Sequence, residues 1–517
     1  MAGDAHLFRT DTVRAELRHR TMRSGAIAVG ARLGSIAVQL GSVVVLARLL
    51  TPRDFGIQAM VLPLTILGNS MINLGLQTTV IQEEDLGPDA ASAIWRLGLG
   101  VNLVLAALMA AGGALVARIN ATPEVTLVAV AWAAVVYLAS TSAVLEAVLK
   151  RRLRFGVVWS AHMGATVVSV IAAIAAALAG AGYWALMVQM AVMELGRAAT
   201  VWVASDWRPA LRPRPGGVAL RAMRGHWLRI GGFRVLSMSG DQLDRVVAGI
   251  VGGASVLGLY ETSRRYAVAP FLDLFMSLSD VAVSSLSRVR HDVARYRRYL
   301  EYALLGILSI SLPAITFLAL DAGRIVLVLL GDQWLEAERF LRVMAGAAIA
   351  AALMRPMQWI NLSRGETGRQ LRWTLISTPV MMAGVLLGAR YDAFGVAVGF
   401  TIAMALLVVP CIAYTIRGSP VGPAELVPAM GRPLGAAAAA GAAMLAAQGL
   451  WVDSVPRIGA LALNLASFGA LYAAAWLWLP GGRTAVAELW RAARELRAPP
   501  PARPSSDPVP PDPKEDP

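Results

Sequence analysis

Fourteen apolar stretches of about 20 residues or more follow one another along the chain, each long enough to cross a hydrocarbon layer of about 30 Å as a helix. They are continuous runs rather than alternations, which excludes an outer-membrane barrel. Irregular backbone cannot face lipid, so helices are the remaining way to span. The sequence therefore predicts an all-α integral membrane protein with spans at 24–47, 57–80, 93–117, 124–148, 157–179, 183–204, 229–251, 264–287, 299–320, 335–362, 371–389, 394–416, 434–450 and 457–479. Composition agrees: only 15% of residues are charged, where a soluble protein carries about 25%.

Basic residues gather in every second connection. Five arginines precede the first span, four basic residues lie at Lys150–Arg154, six lie in 205–229 and five in 288–298. With the N-terminus placed in the cytoplasm, thirty basic residues fall inside and eight outside, and an even number of spans puts both ends in the cytoplasm. The formal charge of +14 is explained by these membrane-flanking segments and does not call for nucleic acid.

Residues 1–23 read as a short amphipathic interfacial segment. The apolar run that follows is too long for a signal-peptide core and is expected to remain. Spans 1–6 (24–204) form one lobe, and the Pro/Gly-rich stretch 205–228 is the linker. Spans 7–12 (229–416) form a second lobe, spans 13 and 14 occupy 434–479, and 480–517 is a tail that ends Pro-rich. The lobes read as parallel repeats: Gly56 after the first hairpin turn matches Gly258 after the turn beyond span 7, and Leu178–Tyr183 echoes Leu387–Tyr391.

Several chemistries are missing. The only lysines are Lys150 and Lys514, and neither follows a phosphate-cradling glycine loop, so ATP hydrolysis of that kind is excluded. The five histidines are scattered, and no metal or cofactor is expected. The single cysteine, Cys411, excludes an intramolecular disulfide.

Charge inside the membrane is costly, about 2.5–3.5 kcal/mol per residue at a helix centre, and marks candidate sites. Arg32 lies within Gly30-x-x-x-Gly34, where small residues permit close helix approach; it faces a central cavity or snorkels to the interface. Arg234, Asp241 and Arg245 fall on one stripe of span 7, with Asp244 beside it. Asp273 and Asp280 share a face of span 8, where either could pair with Arg245 or Arg234 or serve a proton or cation. Glu194 and Arg197 read as a structural pair, and Arg339 and Arg342 as interfacial partners of Glu336 and Glu338. Arg355, beside Pro356, has no acidic neighbour in sequence and suits an anion. Together Arg32, Arg234, Arg245 and Arg355 predict a partly cationic cavity fitted to phosphate, pyrophosphate or carboxylate.

Four motifs, in order, resemble the polysaccharide-transporter (Wzx-like) flippases of the multidrug/oligosaccharidyl-lipid/polysaccharide exporter superfamily. They are Leu46–Gly56, Asp244-Arg245 followed by Gly258-Leu259-Tyr260, Leu330–Trp334 with Ala337, and Gly365-x-x-Gly368-Arg369. The resemblance spans about residues 20–480. It implies two six-helix lobes around a cavity that opens alternately to either side, and an undecaprenyl-pyrophosphate-linked oligosaccharide as substrate. It also implies an ion gradient or membrane potential as driver, and work alongside a polysaccharide polymerase and chain-length regulator. Asp54, Asp244 and Arg245 match the family pattern. Asp54, Asp241, Asp244, Asp273 and Asp280 are the candidates for gating or ion coupling. A multidrug extruder of the same fold is the alternative within the superfamily. A membrane-embedded polymerase or ligase is the alternative outside it, although the longest outside connection, around 321–334, is short for a catalytic loop.

Overall fold

The computed structural model describes residues 34, 38–39, 41–82, 87–152, 154–211, 220–447, 456–479 and 482, with the side chains of 66–79, 82, 155, 220–241, 270, 273, 277 and 280 outside the description. Every regular element among the described residues is helical. Ten of the helices are long and apolar enough to cross a membrane.

The helical stretch 41–49, called α1, is followed by α2 (Pro52–Gln82), α3 (Pro88–Ile119), α4 (Glu124–Ser140), α5 (Ala143–Arg151), α6 (Phe155–Leu178) and α7 (Trp184–Ala204). These are the N-lobe. The C-lobe holds α8 (Leu220–Ala267), α9 (Ala269–Arg288), α10 (Val293–Leu320), α11 (Ala322–Leu329), α12 (Ala337–Met354), α13 (Met357–Ser363), α14 (Thr367–Gly388) and α15 (Ala393–Ile416). Helices α16 (Pro423–Ala447) and α17 (Arg457–Trp478) complete the chain.

Two spans are each built from a pair of helices. Span 4 is α4 and α5, interrupted at Thr141 and Ser142. Span 10 is α12 and α13, interrupted at Arg355 and Pro356. Proline cannot donate to the preceding turn, so the helical ladder breaks there.

Helix α8 is a hairpin rather than a rod. Gly253 sits at φ 68°, ψ −172° inside it, a conformation open to glycine but not to residues with a Cβ. Residues 16 apart on a straight helix would stand about 24 Å from one another. Yet the Tyr260 hydroxyl donates to Asp244 Oδ2 at 2.7 Å. The chain therefore reverses at Gly253, and the returning limb runs on through Ala267 into α9. This places the start of span 8 about ten residues before the predicted Arg264, because Glu261 and Arg264 pair with Arg245 and Asp244 of the outgoing limb and do not lie in a loop.

Helix α16 also begins early, at Pro423, with Pro428 and Pro433 inside it, where the sequence predicted a connection up to Pro433. Its face through Leu426, Ala429, Met430, Pro433, Ala436 and Ala437 is buried. Packing along α10 overrides the proline signal. Helix α17 lies against α16 and is largely lipid-facing, with 11% of its apolar window buried. Both added helices thus belong to the C-lobe flank.

Among the described residues, the largest helix–helix contact joins the lobes, α2 against α8. The two glycines matched by sequence meet there. A Cβ at Gly56 would stand 1.6 Å from the Ala254 carbonyl oxygen, and one at Gly258 would stand 1.8 Å from that of Pro52 and 3.0 Å from Gly56 N. Corresponding residues touching one another is the contact expected at a two-fold axis between repeats.

Candidate substrate cavity

The α8 hairpin carries a reciprocal pair of ion bridges. Arg245 and Glu261 each lie eight residues from Gly253, and Arg245 Nε meets Glu261 Oε2 at 2.7 Å with both side chains nearly buried. Arg245 also donates to Gln242 Oε1. Next to it, Arg264 Nε stands 3.2 Å from Asp244 Oδ2, the oxygen that accepts from Tyr260. Each charge is met by its opposite across the hairpin, which is how charges survive at this depth.

Beyond Arg264 opens a cavity of about 280 Å³. Its walls are the returning limb of α8, α12, α13, α14 and α15. Arg264 enters from one side, and Arg355, at the break between α12 and α13, enters from another. Gln358, Gln370, Thr374, Ser377, Thr378 and Thr415 supply neutral hydrogen-bonding groups, Trp373 and Phe400 flat aromatic faces, and Cys411 a thiol. Two guanidinium groups, a band of amides and hydroxyls, and an aromatic wall suit an anionic group attached to a polar, ring-shaped one. The cavity reaches Gln370, near the start of α14, and Thr415, near the end of α15, and so runs toward the arginine-rich end of the bundle.

The predicted site residues are placed unevenly. Arg355 lines the cavity. Arg245 does not: its guanidinium is bound to Glu261 and Gln242. Arg32 lies outside the described residues. Arg234, Asp241, Asp273 and Asp280 are helical, and their side chains lie outside the description. Asp54 is in the first turn of α2, where its Oδ2 accepts from Thr51 N at 2.8 Å and Thr51 Oγ1 at 2.7 Å, a carboxylate at the positive end of a helix. Asp244 is buried, and its Oδ1 has no hydrogen-bond partner among the described residues.

This cavity lies within the C-lobe; the cavity shared between lobes expected from sequence rests also on Arg32, outside the described residues, and on Arg234, whose side chain is outside the description. Arg264 stands at the start of the predicted span 264–287 and is not among the site residues expected from sequence. The signal that finds it is its distance from Gly253, eleven residues against nine for Asp244, which pairs the two once the turn is known. In the N-lobe, Arg197 binds Glu194 at 2.9 Å and also Glu146 of α5, and Lys150 meets Glu146 at 2.6 Å. The pair read from sequence is thus part of a clamp between α5 and α7. Arg342 pairs with Glu338 at 2.5 Å, but Arg339 stacks over Phe340 and Phe394 instead of meeting a carboxylate.

The family described as "Polysaccharide biosynthesis protein" matches residues 45–339, more than half of the chain. The chain belongs to this family. Among its relatives is the lipopolysaccharide biosynthesis protein WzxC of Escherichia coli (strain K12), 19% identical over 392 residues, covering 74% of this chain and 78% of that one. Another is the succinoglycan biosynthesis transport protein ExoT of Rhizobium meliloti (strain 1021), 26% identical over 346 residues, covering 65% and 67%. The fold is that of the lipid II flippase MurJ in an inward closed conformation, with a TM-score of 0.65 at 14% identity over 87% of this chain and 98% of that one. An inward-facing multidrug MATE transporter is similar at a TM-score of 0.58 and 14% identity over 74% and 93%. Members of this group are membrane transporters and not enzymes.

Proposed function

We propose that this polysaccharide-biosynthesis transporter flips a lipid-linked oligosaccharide, carried on undecaprenyl pyrophosphate, across the inner membrane by alternating access. Arg264 and Arg355 hold the pyrophosphate, the amide and hydroxyl band meets the sugar, and the lipid tail stays in the bilayer. Arg32 and Arg234 are kept as further substrate-binding candidates on the sequence alone. Asp244 is the coupling candidate, since a buried carboxylate oxygen without a partner has capacity for a proton or cation. Asp241, Asp273 and Asp280 remain candidates beside it, and Asp54 serves the start of α2. Both termini lie in the cytoplasm, and the released oligosaccharide passes to a polymerase and chain-length regulator.

The observation that carries this reading is the pair of arginines entering one cavity whose described lining holds neutral polar and apolar side chains and no carboxylate. A multidrug extruder of the same fold must accommodate cationic drugs, which a cavity holding Arg355 and the Asp244-paired Arg264, with no carboxylate in its described lining, disfavours. The test is surface polysaccharide and accumulated lipid-linked intermediate in cells carrying Arg264→Gln with Arg355→Gln. Normal polymer from a double variant that is present in the membrane at wild-type level overturns the assignment.

A further inference from the structure

We infer that three of the four sequence motifs form one latch that shuts the arginine-poor end of the transporter, and that two glycines at its centre set how tightly it shuts. The inference rests on the alternating-access reading above. The motif Leu46–Gly56 provides the N-lobe side. Gln333 Nε2 donates to the Ala47 and Leu50 carbonyl oxygens at 2.7 and 3.0 Å, and Trp334 Nε1 donates to Ala47 at 2.7 Å. Arg48 donates to the carbonyl oxygens of Val328 and Leu329. The Phe55 and Trp334 rings meet edge to face, 5.1 Å apart, and Trp334 is fully buried. Gly56 and Gly258 let α2 and the α8 hairpin touch backbone to backbone.

All of these contacts cross from one lobe to the other. They lie at the turns between spans 1 and 2, 7 and 8, and 9 and 10, the connections poor in arginine. The cavity lies at the other end of the same hairpin. For a headgroup to leave on the arginine-poor side, Gln333 and Trp334 must release the end of α1, and Gly56 must part from Ala254. A methyl group at Gly56 or Gly258 would occupy the place of a facing carbonyl oxygen, which no side-chain rotation relieves. Such a group acts as a wedge.

Two thiol reporters test this. In a Cys411→Ser chain, Ala47→Cys puts a small thiol at a fully buried position of the latch. Intact spheroplasts are then treated with a membrane-impermeant methanethiosulfonate. The thiol is expected to be protected in the parent and to react about tenfold faster when Gln333→Leu removes two bonds. Gly258→Ala is expected to act in the same direction, and Gly100→Ala, whose Cβ meets nothing within 4 Å, is expected to change nothing. Gln333→Leu carries no steric burden, so it keeps the test valid if the wedge variant fails to fold. Continued protection in a folded, inserted Gln333→Leu variant overturns the latch. In the same Cys411→Ser chain, Ser377→Cys, half-buried on the cavity wall, reads the cavity separately. If that thiol reacts from neither side while the Ala47→Cys reporter behaves as expected, the cavity assignment fails and the latch stands.

Discussion

Arg245 separates a structural charge from a substrate-binding one, and replacing it together with Glu261 decides between them. The pair is 2.7 Å apart, and the two side chains are 11% and 9% exposed. Removing one partner of such a pair leaves an uncompensated buried charge and costs about 3–5 kcal/mol. Glu261→Ala should therefore lower the folding equilibrium constant by at least about two orders of magnitude. Gln242 retains one bond to the stranded guanidinium, so the lower figure is the better guide. Arg245→Leu with Glu261→Leu replaces both charges by apolar groups, which is typically neutral or stabilising. Equilibrium denaturation in mixed micelles should show the single variant strongly destabilised and the double variant near the parent. Surface polysaccharide should then be normal in the double variant. A stable, inserted double variant that makes no polymer would refute the structural role and return Arg245 to the substrate.

Three further outcomes are expected. Arg264→Gln or Arg355→Gln alone should weaken retention of a pyrophosphate-bearing lipid by about 10- to 100-fold, as loss of one charge-assisted bond does, read by native mass spectrometry in nanodiscs. Glu146→Ala should destabilise the N-lobe by about 1–3 kcal/mol, since Arg197 and Lys150 both lose a carboxylate, and unchanged denaturation would remove the clamp. In a Cys411→Ser chain, Arg372→Cys should react with an impermeant reagent only in inverted vesicles and Tyr391→Cys only in right-side-out ones. The reverse pattern would overturn the proposed orientation.

The helical class and most span positions were legible because lipid leaves the backbone no alternative and hydropathy marks each crossing. What was not legible followed from contacts between segments. The run Glu261–Arg265 looks like a loop until Gly253 is known to reverse the chain, after which Glu261 and Arg264 have partners eight and nine residues before that glycine. Pro428 and Pro433 look like a connection until α10 offers a face to pack on. Arg355 was found because a proline beside an intramembrane arginine is a local signal. Arg264 was missed because its role depends on which limb of a hairpin it occupies. The motif Leu330–Trp334 was visible as a pattern, but only the contact of Gln333 and Trp334 with Ala47 shows what it does.

The distribution of charge pairs bears on how the lobes can move. Five ion pairs between helices or across the α8 hairpin each lie within one lobe and its flanking helices: Arg197 with Glu146, Arg53 with Glu124, Arg245 with Glu261, Arg264 with Asp244, and Arg297 with Glu425. The contacts between lobes are of another kind: glycine against backbone, an edge-to-face ring pair, and hydrogen bonds to carbonyl oxygens. Separating a buried ion pair costs about 3–5 kcal/mol, whereas a hydrogen bond contributes about 0.5–1.5 kcal/mol net. The lobes can therefore part at the latch without breaking these charge pairs. A ligand moves such a population from 1:99 to 99:1 when it binds one state about 5.5 kcal/mol more tightly than the other. Had Arg48 met a carboxylate instead of the Val328 carbonyl, the closed state would hold a charge pair that opening must break, and headgroup binding would be a weaker lever on the gate.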